Sequence, residues 1–148
     1  MRKRLVRCAA LILLVSMLAP PASATEQNTV YFEDGSSLEI TIQAVESRAA
    51  GTKSGSKTYT YKNNAGAVRW KAVLNGTFTY TGSSAACTAS SCNVTIYEND
   101  WYVVSKAAEK SGASALCELT MGFKVFGITT KKVPISMTLS CDANGKLS

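Results

Sequence analysis

The chain has no histidine, only three prolines, and no long apolar run after its first segment. Each lack excludes something. Serine and cysteine nucleophiles usually borrow a proton through an imidazole, so the common triads and dyads have no base here. A Ser–Lys pair remains conceivable, but serines and lysines are so plentiful that no one pair stands out. Zinc sites prefer Cys-x-x-Cys spacing or histidine partners, and the chain offers neither. No glycine-rich loop opens a helix, so nothing cradles a phosphate. A glycosidase needs two carboxylates across a cleft. The ten acids are scattered, mostly near turns. No metal and no cofactor is expected.

What is present begins with an export signal. Arg2, Lys3, Arg4 and Arg7 precede an apolar run from Cys8 to Leu18, and Ala22-Ser23-Ala24 closes it with small residues. This order reads as a signal peptide over residues 1–24, with cleavage after Ala24. A signal anchor is the rival, but the run is short for a bilayer and Pro20-Pro21 follows it. Cys8 precedes the apolar run, whereas a lipid-modified cysteine follows one. Nothing near Ser148 resembles a sorting signal or anchor. The expectation is one secreted, extracellular domain over residues 25–148, with no membrane span after processing. The leader holds four of the 16 bases and no acid, which leaves 12 against 10, a net of +2 over 124 residues. So balanced a surface gives no footprint for nucleic acid.

The domain reads as all-β. Leu38, Ile40 and Ile42 alternate with polar residues, as do Tyr59 and Tyr61. From Val68 onward one face holds Trp70, Ala72, Leu74, Gly76, Phe78 and Tyr80, and Gly76 suggests a bulge or bend. Cys117, Leu119, Met121, Phe123 and Val125 form another apolar face. So do Val133, Ile135, Met137, Leu139 and Cys141. A hairpin turning near Thr129 would oppose residues whose numbers sum to 258, pairing Leu119 with Leu139 and Cys117 with Cys141. A two-residue loop at Gly112-Ala113 would set Val104 against Met121 and Tyr102 against Phe123, leaving Trp101 and Val103 outside. Further turns are expected at Asp34-Gly35, Asn63 to Gly66, Thr81 to Ser84 and Glu98 to Asp100. Gln43 to Ala50 is the one candidate helical turn, and Ala49 to Ser56 reads as a flexible connection. Five long strands should form a meander from Val68 to Cys141. About eight strands in an antiparallel β-sandwich are predicted, with a small barrel as the alternative.

The candidate ligand contacts are Tyr97, Asn99, Asp100 and Trp101, where aromatic and polar groups meet at a turn. Sugars are bound by such mixtures. The same residues also suit a plain turn whose aromatics pack on the strands, and they supply too few oxygens for calcium. Asn75 and Asn93 head glycosylation sequons on polar faces.

The stretches Ser54 to Tyr61, Trp70, Asn75 to Gly82, Ala86-Cys87-Thr88, Ser111-Gly112 and Leu139 to Asp142 resemble an uncharacterised family of small secreted bacterial β-rich proteins. The resemblance implies secretion and a β fold, and brings no established function and no catalytic residue. It is strongest around Cys87 and Cys141. Four cysteines in an oxidising compartment imply two disulfides. The hairpin register favours Cys117–Cys141 with Cys87–Cys92. The meander, the longer closed loop and the resemblance favour Cys87–Cys141 with Cys92–Cys117, which is the pairing predicted. Two functions from different classes follow. One is a non-enzymatic binding or surface-associated module for an extracellular glycan, cell-wall polymer or protein. The other is a secreted effector, such as a protease inhibitor or antagonistic toxin. An enzyme of unfamiliar type stands third.

Overall fold

The computed structural model describes residues 25–46 and 50–148. The signal peptide expected over residues 1–24 lies outside the described residues. Alternating apolar residues close into eight strands: β1 (Thr25–Tyr31), β2 (Ser37–Glu46), β3 (Thr52–Lys62), β4 (Val68–Tyr80), β5 (Ala85–Ile96), β6 (Trp101–Ser111), β7 (Ser114–Val125) and β8 (Ile128–Ser140). All neighbours are antiparallel. β1 to β5 form one sheet in chain order and β6 to β8 another. The sheets do not close into a barrel, and the fold is a β-sandwich. No helix is found among the described residues.

The apolar faces meet between the sheets. Trp70, Ala72, Leu74 and Phe78 of β4 are fully buried against Ala115, Cys117, Leu119 and Met121 of β7, with Met137 and Leu139 of β8 beside them. Gly76 belongs to this face. A Cβ there would sit 2.7 Å from the Phe78 ring and 3.2 Å from Ala115, so close packing requires the glycine. The expected irregularity lies next to it, between Thr77 and Phe78, where Thr88 of β5 is the extra residue.

Several expectations need correction. The Val68–Cys141 meander divides between Ile96 and Trp101, so the turn at Glu98–Asp100 passes the chain from one sheet to the other. Gln43–Glu46 is strand, not helical turn, and β3 already begins at Thr52 inside the expected flexible connection. Gly55 is buried there, and a Cβ would meet Gln43 O at 2.6 Å, so the position has no room for a side chain. The β7–β8 hairpin turns at Phe126-Gly127, not near Thr129, and pairs Leu119 with Ile135 and Cys117 with Met137. The displacement is four residues. An even slip keeps every inward side chain inward, so the apolar pattern could not detect it. Turn chemistry decides instead. Phe126 (φ 50°) and Gly127 (φ 77°) are both left-handed, as a two-residue type I′ turn requires.

β6 carries a subtler correction. Ser105–Ser111 pair with β7 as the Gly112-Ala113 loop dictates, but Val104 is an extra residue between Val103 and Ser105. That bulge reverses the facing of the strand's first residues. Trp101 opposite Phe123 turns inward and is 6% exposed; Val103, opposite buried Met121, remains 38% exposed, and the extra residue Val104 is 41% exposed. Tyr102 lies on the outer face over Gly122, where a Cβ would fall 2.4 Å from its ring.

The free edge of the smaller sheet is blunted. Ser140 N–H donates outward to Ser148 O, so the even-numbered residues of β8 from Lys132 to Ser140 turn their backbone groups to the open side. Pro134 has no N–H to offer there, and Lys57 Nζ occupies Thr138 O at 2.9 Å.

Candidate binding cleft

Strand direction gathers four connections at one end of the sandwich: Phe32–Ser36, Asn63–Ala67, Tyr97–Asp100 and the Phe126-Gly127 turn. The first three, with Phe123 and Lys131 from the strands of the fourth, surround a cleft of about 480 Å³. Its floor is aromatic. Tyr61 stacks on Trp70 (5.3 Å, 2° between planes), Trp101 tilts against Tyr61 at 5.0 Å, and Phe123 continues the cluster at 5.1 Å from Trp101. The Trp70 Nε1 is buried without a hydrogen-bond partner among the described residues.

The rim is polar and clasped. Arg69 at the head of β4 donates to Glu98 Oε2 at 2.5 Å, tying the β5–β6 connection to the larger sheet. Lys131 of β8 donates to Asp34 Oδ2 at 2.8 Å and to the Tyr61 hydroxyl at 3.1 Å, crossing from one sheet to the other. Its ammonium lies 5.6 Å above the Tyr61 ring. Asp34 also accepts from the Ser36 hydroxyl and backbone N–H. The Lys131 ammonium and then the Ser36 donors hold the Asp34 carboxyl well below the usual carboxylate range. For Lys131, partial burial works against the charge, but the bonds to Asp34 and Tyr61 outweigh it and raise the ammonium's pKa. Asn63, Asn64 and Asp100 complete the hydrogen-bonding wall.

The expected contacts divide. Asp100 and Trp101 line the cleft, Trp101 from the inside as part of the floor. Tyr97 and Asn99 do not line it; Tyr97 is exposed beside the Lys71 ammonium, 6.0 Å from its ring centre. Sequence reasoning missed Asp34, Tyr61, Arg69, Glu98 and Lys131. The available signal was strand parity: counting strand directions places the odd-numbered connections at the same end.

The four cysteines of the described residues form a second feature. All four thiols are free, so the expected disulfides are not formed in this structure. Cys92 of β5 and Cys117 of β7 are both buried and lie near enough across the sheets for one thiol to act on the other. Burial first, and then the Cys92 thiol, push Cys117 up to about 12. Cys87 and Cys141 flank the β6–β7 turn, Cys87 N–H donating to Gly112 O (2.8 Å) and Cys141 N–H to Ala113 O (3.0 Å). Burial raises both thiols. Among the described residues, no group of acids and cysteines converges as a metal site would require.

Comparisons with protein-family models, with curated proteins and with solved structures give no match. The functional reading therefore rests on the chain's own geometry.

Proposed function

We propose that the protein is an exported, non-enzymatic binding module that takes an extracellular glycan, cell-wall polymer or protein at the loop end of its sandwich. One observation carries the reading. Polar groups from the turns and strand ends of both sheets converge on a single cleft above an aromatic floor, the usual composition of a recognition site. Trp101 faces inward, so the site offers hydrogen bonds and paired charges at its mouth rather than an open stacking platform. A ligand gains access to Tyr61 by displacing Lys131. The absence of histidine from the sequence supports a binding role over a catalytic one. A tight two-residue turn at Phe126-Gly127 does not lie extended as a protease-inhibiting loop would, which disfavours that form of the effector reading.

We propose further that exchange with an external disulfide oxidant after export, which takes up two electrons and two protons per bridge and leaves as a dithiol, closes Cys92–Cys117 across the sandwich and Cys87–Cys141 around the β6–β7 turn, fixing the sheets beneath the cleft. The functional test is a pull-down of the secreted protein on cell-wall polymers, glycans and surface proteins, followed by titration with tryptophan fluorescence, since Trp101 is part of the cleft floor. Saturable binding that Lys131→Met or Arg69→Met weakens supports the reading. No binding across a broad panel, or binding indifferent to both substitutions, contradicts it.

A further inference from the structure

Apolar residues are commonly scattered over a protein surface; here they are segregated. Among the described residues, the exposed large apolar side chains include Tyr31, Phe32, Tyr97, Val125, Phe126 and Ile128, all at the loop end, and Val45 is the exception lying at the other. The β7–β8 hairpin is their summit. Phe126 is 100% exposed and Ile128 70%. Residues 124–130 are all exposed. Phe126 also holds φ 50°, a left-handed backbone that bulky residues rarely adopt. An aromatic ring at such a position gains nothing from folding, and its side chain is available to something outside the protein.

The hairpin is braced where it leaves the body. Lys124 N–H donates to Asp100 O at 2.8 Å. The Tyr102 ring lies on Gly122, its hydroxyl reaches Thr129 at 2.6 Å, and the Lys124 ammonium sits 4.3 Å above the same ring. Beyond that brace, two residues per strand project, roughly 7 Å of apolar tip. This matches the roughly 5–10 Å to which interfacial segments enter the headgroup and acyl boundary. Lys124, over the Tyr102 ring, and Lys132, opposite Gly122, stand below the tip. Lys131 and Asp34 neutralise each other, Asp100 lies at the level of Lys124, whose N–H its carbonyl accepts, and Glu33 lies lower, beside the Lys131–Pro134 stretch. A convex apolar wedge with lysines at its foot suits a soft surface whose negative headgroups reach Lys124 and Lys132. A folded protein partner would need a matching socket.

We propose that the Val125–Ile128 tip seats the loop end of this protein on an anionic lipid surface, a docking role additional to the cleft. The test is co-sedimentation of the secreted protein with vesicles of phosphatidylcholine, with and without phosphatidylglycerol. The N-terminus is read by mass spectrometry. Wild type and variants share that terminus, so any contribution of the apolar Cys8–Leu18 run cancels. The expected result is binding to the phosphatidylglycerol vesicles that weakens as salt rises. Phe126→Asn should cut partitioning about tenfold or more, and Lys132→Gln about fivefold. Phe126→Asn suits the turn, so thermal melting should be undiminished and loss of binding cannot be put down to unfolding. Failure of the wild type to bind these vesicles overturns the proposal. So does equal binding by Phe126→Asn. A variant that changes only self-association, read by light scattering, also overturns it and makes the tip an interface between copies.

Discussion

Reducing the oxidised protein should destabilise it by an amount that identifies the bridge. Cys92 and Cys117 are buried on facing strands of the two sheets, near enough for one thiol to act on the other. The bond between them would close a loop of about 25 residues, worth about 3.5 kcal/mol in the chain-entropy model. For a chain of this size 1 kcal/mol moves the melting temperature by roughly 4 °C, so reduction should lower it by about 14 °C for this bridge alone. Reducing Cys87–Cys141 as well adds a further loss, less than a second full increment because the loops overlap. The assay is thermal melting by circular dichroism of oxidised protein, with and without reductant, joined to peptide mapping under non-reducing conditions. Reduction avoids the cavity or polar group that a cysteine substitution would leave in the core. A mapped fragment joining Cys117 to Cys141 would refute the reasoning, since Cys117 stands opposite Met137 and not Cys141. An unchanged melting temperature would refute it equally.

Three further outcomes are expected. Trp101→Ala should cost about 3–5 kcal/mol by denaturant unfolding, while Tyr97→Ala should change stability by no more than about 0.5 kcal/mol; equal effects would mean the Val104 bulge is misplaced. Phe126→Asn should raise stability by about 1 kcal/mol, because asparagine tolerates the left-handed turn position that phenylalanine strains; a lower urea midpoint would contradict this. The Asp34–Lys131 clasp should contribute between two pH limits. The lowered carboxyl of Asp34 makes its contribution present above its unfolded pKa near 4 and lost on acidification through the folded value. The raised ammonium of Lys131 makes its contribution present below its unfolded pKa near 10.4 and lost as pH rises through the folded value. Melting temperatures of wild type and Lys131→Met should therefore differ at neutral pH and converge at both extremes.

Much of the architecture was legible because period-two alternation reports directly which side of a strand is buried. Leu74, Phe78, Leu119, Met121, Met137 and Leu139 were all assigned to inner faces and all are buried. The failures came where that signal is blind. It cannot register an even slip, so the β7–β8 hairpin was displaced by four residues until the left-handed pair Phe126-Gly127 was known. It cannot see an inserted residue, so the Val104 bulge reversed Trp101 and Tyr102. A glycine reads as flexible whether it is loose or, like Gly55, squeezed between neighbours. The cleft was half legible: Asp100 and Trp101 stood out as an aromatic-polar turn. Asp34, Arg69 and Lys131 carry no local pattern and are joined only by the pairing of distant strands.

Residue-resolved amide shift mapping with a ligand from the binding panel tests the central claim most directly. The account predicts perturbations confined to the loop end, at Phe32–Ser36, Tyr61–Arg69, Glu98–Trp101 and Phe123–Lys132. Perturbations centred on the opposite end, around Thr81–Ser84, Gly112-Ala113 and Asp142–Ser148, would contradict it.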